Sequence, residues 1–89
     1  MHLVYIVEDD ANIREIESFA LKNSGYEIAD FSCAKEFYRE LAKRLPDLVL
    51  LDIMLPDEDG LCVLQKLRRE ALTKNLPIIM VTAKTTELD

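Results

Sequence analysis

Apolar positions along this chain fall into four short blocks, and the segments between them carry apolar residues at helical spacing. The first block, His2 to Val7, is rich in β-branched and aromatic residues and is closed by Glu8, Asp9 and Asp10, which predicts a buried strand. From Asn12 to Asn23 the residues Ile13, Ile16, Phe19 and Ala20 recur with the period of a helix, with Asp9 and Asp10 before the first turn and Gly25 after the last. Tyr26 to Phe31 predicts a second strand. Ser32 is positioned to cap a helix over Ala34 to Leu45 with the stripe Phe37, Leu41 and Leu45, stopped by Pro46. Leu48 to Asp52 predicts the third strand. After a turn over Leu55 to Gly60, the stripe Leu61, Leu64, Leu67 and Ala71, with Lys66, Arg68, Arg69 and Glu70 outward, predicts a third helix. Pro77 then opens a fourth strand, Ile78 to Thr82, and Ala83 to Asp89 reads as the start of another helix.

Strands and helices therefore alternate, and the strands are continuous apolar runs. That is the pattern of an α/β fold, a parallel sheet covered by helices on both faces. At 89 residues, 49% of them hydrophobic, the chain has the size of one domain, residues 1–89, with no internal repeat or linker.

Charge narrows the function. Seventeen acidic residues against eleven basic ones give a net charge of −6, which argues against direct nucleic acid binding or attachment to an anionic membrane. Cys33 and Cys62 stand far apart with no histidine near them, which excludes a zinc or dithiol motif and predicts free thiols in a reducing compartment. No apolar segment approaches the ~20 residues needed to span a bilayer, so the expected location is cytoplasmic.

One carboxylate stands out. In Val49-Leu50-Leu51-Asp52-Ile53-Met54-Leu55-Pro56, Asp52 interrupts an almost wholly apolar run, and a carboxylate on such a background needs a capping role or a chemical one. In a parallel α/β sheet ligands sit at the carboxyl ends of the strands, where strand order reverses. The residues there are Glu8, Asp9 and Asp10 after the first strand, Asp52 at the end of the third and Thr82 at the end of the fourth. If strands one and three are neighbours, three or four carboxylates converge. Such a cluster takes up protons or holds a hard divalent cation, and Mg2+, which leaves coordination positions for phosphate oxygens, is the better fit. An aspartate there can attack phosphorus to give an acyl phosphate, and Asp52 is the natural nucleophile.

These residues resemble the receiver domain of two-component response regulators. The likeness is carried by Glu8-Asp9 after the first strand, the LLDIMLPDEDGL segment around Asp52, and Val81-Thr82-Ala83. The resemblance implies a flavodoxin-like fold in which Glu8, Asp9, Asp52 and the backbone carbonyl of Met54 hold Mg2+. It makes Asp52 the phosphoacceptor, Thr82 the switch hydroxyl and Ala83 the small residue that leaves the site accessible. It also implies a sensor histidine kinase as phosphodonor, an output domain or partner protein, and a phosphoacceptor that assists its own phosphoryl transfer and dephosphorylation without being an enzyme. The Glu-Asp order and the MLPDEDG turn are most similar to the subfamily with a winged-helix DNA-binding effector, which implies control of transcription. Family members continue through a fourth helix, a fifth strand carrying a phosphate-contacting lysine, and a fifth helix, whereas this sequence stops at Asp89. If the chain truly ends there, the apolar edge of the fourth strand predicts a dimer or swapped oligomer.

Other residues carry blander expectations. Asp10 suits a helix N-terminus, Asp57 and Asp59 suit a turn and an N-cap, and Gly60 suits a sharp turn. Cys62 is expected as a small buried hydrophobe, and Arg68-Arg69 and Lys43-Arg44 as solvated faces. Three competing functions remain: a receiver-like protein-interaction module that is not phosphorylated, an aspartyl phosphohydrolase, and a flavin-binding protein. The second lacks an acid-base aspartate at the Met54 position, and in the third Glu8-Asp9-Asp10 would repel the flavin phosphate.

Overall fold

The structure, a computed structural model, describes residues 2–81. Its strands are β1 (Leu3–Val7), β2 (Glu27–Phe31), β3 (Leu48–Asp52) and β4 (Ile78–Val81), and its helices α1 (Ala11–Asn23), α2 (Ala34–Leu41) and α3 (Gly60–Arg69). The expected helix over Ala83 to Asp89 lies outside the described residues. All strand pairs are parallel, in the order β2-β1-β3-β4. The first crossover thus carries the chain to one side of β1 and the second carries it back across to the other. The reversal falls between β1 and β3, where the sequence places the acidic residues.

Every residue of β1 is buried, as expected of a central strand covered on both faces. Leu3, Tyr5 and Val7 of β1 and Val49 and Leu51 of β3 form one core with Ala34, Phe37, Val63 and Leu67 of α2 and α3. Tyr5 stacks edge-on against Phe31 and Phe37 and donates its hydroxyl to the Arg44 carbonyl at 2.6 Å, so its polar tip is satisfied inside the core. The alternate residues, Val4 and Ile6, point to the opposite face, where α1 packs against β1 and β2.

Four helix expectations need correction. In α1, Ile16 and Phe19 are 67% and 70% exposed, while Ser18 is buried. Polar contacts set the rotation of this helix: Arg14 donates to the Glu8 carbonyl at 2.7 Å and Ser18 to Asp30 at 2.8 Å. Helix α2 stops at Leu41, not Leu45, because the chain must turn for the Arg44 carbonyl to meet Tyr5 and for Asp47 to pair with Leu3. Its N-cap is Cys33, which makes no capping bond with its side chain, and Ser32 instead hydrogen-bonds to Glu36 through its amide and hydroxyl. In α3 the inward side is Val63 and Leu67, so Leu61 and Cys62 are exposed and Ala71 lies beyond the helix.

Arg68 adds a fifth correction. It does not simply face solvent: its Nη1 donates to the carbonyls of Thr73, Lys74 and Leu76 at 3.3, 3.1 and 2.7 Å, and so organises the chain between α3 and β4. The buried hydroxyl of Thr73 adds a bond to the Leu67 carbonyl at 2.6 Å.

Candidate functional site

The β1–α1 connection is built from its own residues. Asp10 caps α1, accepting from the Asn12 and Ile13 amides at 2.9 and 3.1 Å, which satisfies two N–H groups that a helix start leaves without partners. Glu8 is buried, and one of its carboxylate oxygens accepts from the Asp10 amide at 3.0 Å. The Glu8 carbonyl takes the Arg14 guanidinium. Glu8 is thus fixed at both ends, while Asp9 stays exposed.

Across the reversal, Asp52 ends β3 and is 1% exposed. Its Oδ1 accepts from the Met54 amide at 3.2 Å. The chain then loops out and returns: Gly60 donates its amide to the Ile53 carbonyl at 2.7 Å, and Met54 bridges to Asp59, which caps α3 through the Leu61 amide at 2.8 Å. Gly60 is needed for proximity, since a Cβ would fall 2.7 Å from the Ile53 Cα and closer still to the Asp52 carbonyl oxygen. Positive φ, the usual reason for glycine in a turn, applies instead to Gly25 (φ 96°) after α1.

The outcome is a carboxylate cluster. Glu8, Asp9 and Asp52 each bring an oxygen to a common point, all within 4.8 Å of one another. Two of the three are buried, so their charges gather where water screens them least. Three hard oxygen donors at that spacing fit a small divalent cation. Met54 lies beside Asp52 on its loop, and Val81 sits opposite Asp52 in the β3–β4 register. Thr82 and Ala83 lie outside the described residues.

Several contributors escape a reading of the sequence. Glu17, on α1, has its carboxyl held above the usual range by burial and, second, by the negative charge of Asp52. Asp57 does not cap its own helix. Its two oxygens accept from the Ala34 and Lys35 amides, both at 2.9 Å, and so cap α2 from a distance of 23 residues along the chain. The Ala34 amide is the main reason its carboxyl lies below the usual range. The adjacent Glu58 accepts from the Tyr38 hydroxyl at 3.1 Å and pairs with Lys66 at 2.8 Å. Burial first, then Glu58, raises the Tyr38 phenol.

Residues 4–89 match the family described as the response regulator receiver domain. The chain belongs to that family. The phosphate regulon transcriptional regulatory protein PhoB of Pseudomonas aeruginosa is 42% identical over 94% of this receiver domain, which covers 37% of that protein's length. A response regulator from Chloroflexus aurantiacus superposes with a TM-score of 0.90 at 35% identity, over 96% of this receiver domain and 70% of that chain. The chemotaxis response regulator CheY4 of Vibrio cholerae gives a TM-score of 0.89 at 28% identity, over 97% and 72%. The expected fold, a parallel α/β sheet of the flavodoxin-like type, is the one observed. No helix of the described residues is long and apolar enough to cross a membrane.

Proposed function

We propose that this receiver domain is a phosphoacceptor switch in which Asp52 takes a phosphoryl group from a sensor histidine kinase and an output surface changes in response. The observation that supports this reading most is the convergence of Glu8, Asp9 and Asp52 at the carboxyl end of the sheet, where strand order reverses. Their carboxylates and the Met54 backbone carbonyl would hold Mg2+. When bound, Mg2+ supplies positive charge that offsets the charge on the phosphoryl oxygens during transfer.

The remaining chemistry belongs to the chain. An Asp52 oxygen forms a bond to phosphorus as the P–N bond of the donor phosphohistidine breaks, leaving an acyl phosphate on Asp52 and the electron pair on the imidazole. The Met54 amide holds Oδ1 and so fixes the plane of the attacking carboxylate. Burial of Asp52 keeps bulk water from its carboxylate before transfer. Thr82 serves as the hydroxyl that engages the phosphoryl group afterwards. The relative in Pseudomonas aeruginosa is a transcriptional regulatory protein, so the output we assign is transcription through an effector domain, in the cytoplasm.

Incubation of the full chain with acetyl phosphate and Mg2+, followed by mass spectrometry, tests this. The expected product is an acid-stable, base-labile adduct on Asp52, absent from Asp52→Ala and absent without the metal. No adduct at millimolar Mg2+, either from acetyl phosphate or from a phosphorylated kinase, would sink the proposal and leave a protein-interaction module in the same fold.

A further inference from the structure

The loop from Ile53 to Asp59 is closed at its base and tied at its tip. At the base, the Gly60 amide meets the Ile53 carbonyl and Met54 bridges to Asp59. At the tip, Asp57 spreads its two oxygens over two successive amides of α2, and Glu58 holds Tyr38 of the same helix. A two-oxygen contact to a helix N-terminus is charge-assisted and fixes direction as well as distance. Met54 belongs to the base, with its amide already on Asp52, and its carbonyl shares a peptide plane with Leu55, the first residue on the way to the tip.

We infer that Asp57 is a positioning residue for the Met54 ligand, tying the loop that carries it to α2, so that the affinity for Mg2+ depends on a carboxylate that does not touch the ion. The inference rests on the reading of Glu8, Asp9, Asp52 and Met54 as the metal donors. With the tip tied, the Met54 carbonyl is held in one orientation before the ion arrives. With the tip free, the segment from Leu55 onward loses its anchor, so the peptide plane that carries the Met54 carbonyl must be ordered on binding, at a cost to affinity. Groups that hydrogen-bond to metal ligands commonly carry about tenfold to hundredfold effects, and Asp57, which acts through the loop and not on the ligand itself, belongs at the low end of that range.

The difficulty in testing this is that Asp57 also caps α2, so its loss destabilises the helix whether or not it positions the loop. The structure offers a way to separate the two. Cys33 occupies the N-cap with extended backbone and no capping bond of its own (φ −154°, ψ 165°), so Cys33→Ser restores a local cap without restoring the tie. The experiment is an Mg2+ titration followed by amide chemical shifts, alongside urea unfolding, on the full chain, Asp57→Ala and the double variant Asp57→Ala with Cys33→Ser.

Asp57→Ala is expected to bind Mg2+ about tenfold more weakly. The double variant is expected to recover stability without recovering affinity. Wild-type affinity in Asp57→Ala overturns the inference, and so does recovery of affinity together with stability, which would make Asp57 a cap and nothing more. Should Asp57→Ala not fold, Asp57→Asn, which keeps one acceptor oxygen, carries the same comparison with a smaller loss, and unchanged affinity there overturns the inference equally. If the wild-type chain binds no Mg2+, the reading of the metal site fails, and this inference fails with it.

Discussion

The two loops that flank the candidate site solve one problem in opposite ways. Both must present a carboxylate at the end of a buried strand. The β1–α1 loop does it with neighbours: Asp10 caps the helix that follows, and Glu8 is held by Asp10 and Arg14. The β3–α3 loop spans further and borrows its support from α2, through Asp57 and Glu58. A locally built loop is determined as soon as its own helix forms. A loop built on distant contacts takes its shape only when the whole domain is assembled, and its position then depends on another element.

That contrast can be broken at several points. The largest effect is expected from Gly60→Ala, because the added Cβ meets the backbone of Asp52 and Ile53, which cannot rotate away. We expect a loss of about 3 kcal/mol, as for other overpacked sites, and urea unfolding will measure it. A loss below a few tenths would mean that the close approach relaxes freely. Asp10→Ala removes the local cap and is expected to cost about 1 kcal/mol, with raised amide exchange confined to the first turn of α1. Exchange spreading to α2 would contradict the local character of this loop. Tyr38→Phe keeps the ring and removes only the bond to Glu58, so about 0.5 kcal/mol is expected. The distinguishing readout is amide exchange over Leu55 to Asp59, which should rise while α1 stays as before.

The subtlest test uses acid. The Asp57 carboxyl is held below its ordinary range, chiefly by the Ala34 amide. Its contribution to stability is therefore fully present above the unfolded aspartate value, about 3.9, and is lost as pH falls through the lower folded value. The protection of the Ala34 and Lys35 amides, taken relative to the intrinsic exchange rate at each pH, should hold down to that point and fall below it. Loss of protection already above the unfolded value would show that the carboxylate is not what protects those amides.

The same contrast explains what the sequence made legible. β1 was readable because a run buried on both faces has no polar positions to confuse it, whereas the edge strand β2 carries Glu27 and Asp30, and β1 beside β3 was a condition that the observed strand order meets. The meeting of Glu8, Asp9 and Asp52 came with that topology. Asp10 and Asp59 were readable as caps because each serves the helix directly after it. Asp57 was not, since its partners belong to an earlier helix and nothing in the spacing marks them. The rotation of α1 was misjudged for a related reason: its apolar residues suggested one inward side, while Arg14 and Ser18 turned another toward the sheet. Cys62 followed the misplaced side of α3 in the same way.

Arg68 acts far from the carboxylates, at the other end of the sheet, yet it bears on them. By gathering the carbonyls of Thr73, Lys74 and Leu76, it determines how much chain is used before β4 begins. That length sets the phase of the strand: Ile78 falls beside Val49, and Val81 beside Asp52. In a strand, a shift of one residue exchanges the two faces completely. Ile78 and Met80, now packed on the core, would trade places with the exposed Ile79, and Met80 would stand where Val81 does. The guanidinium therefore works as an index mark, counting out the residues that bring the right one level with Asp52.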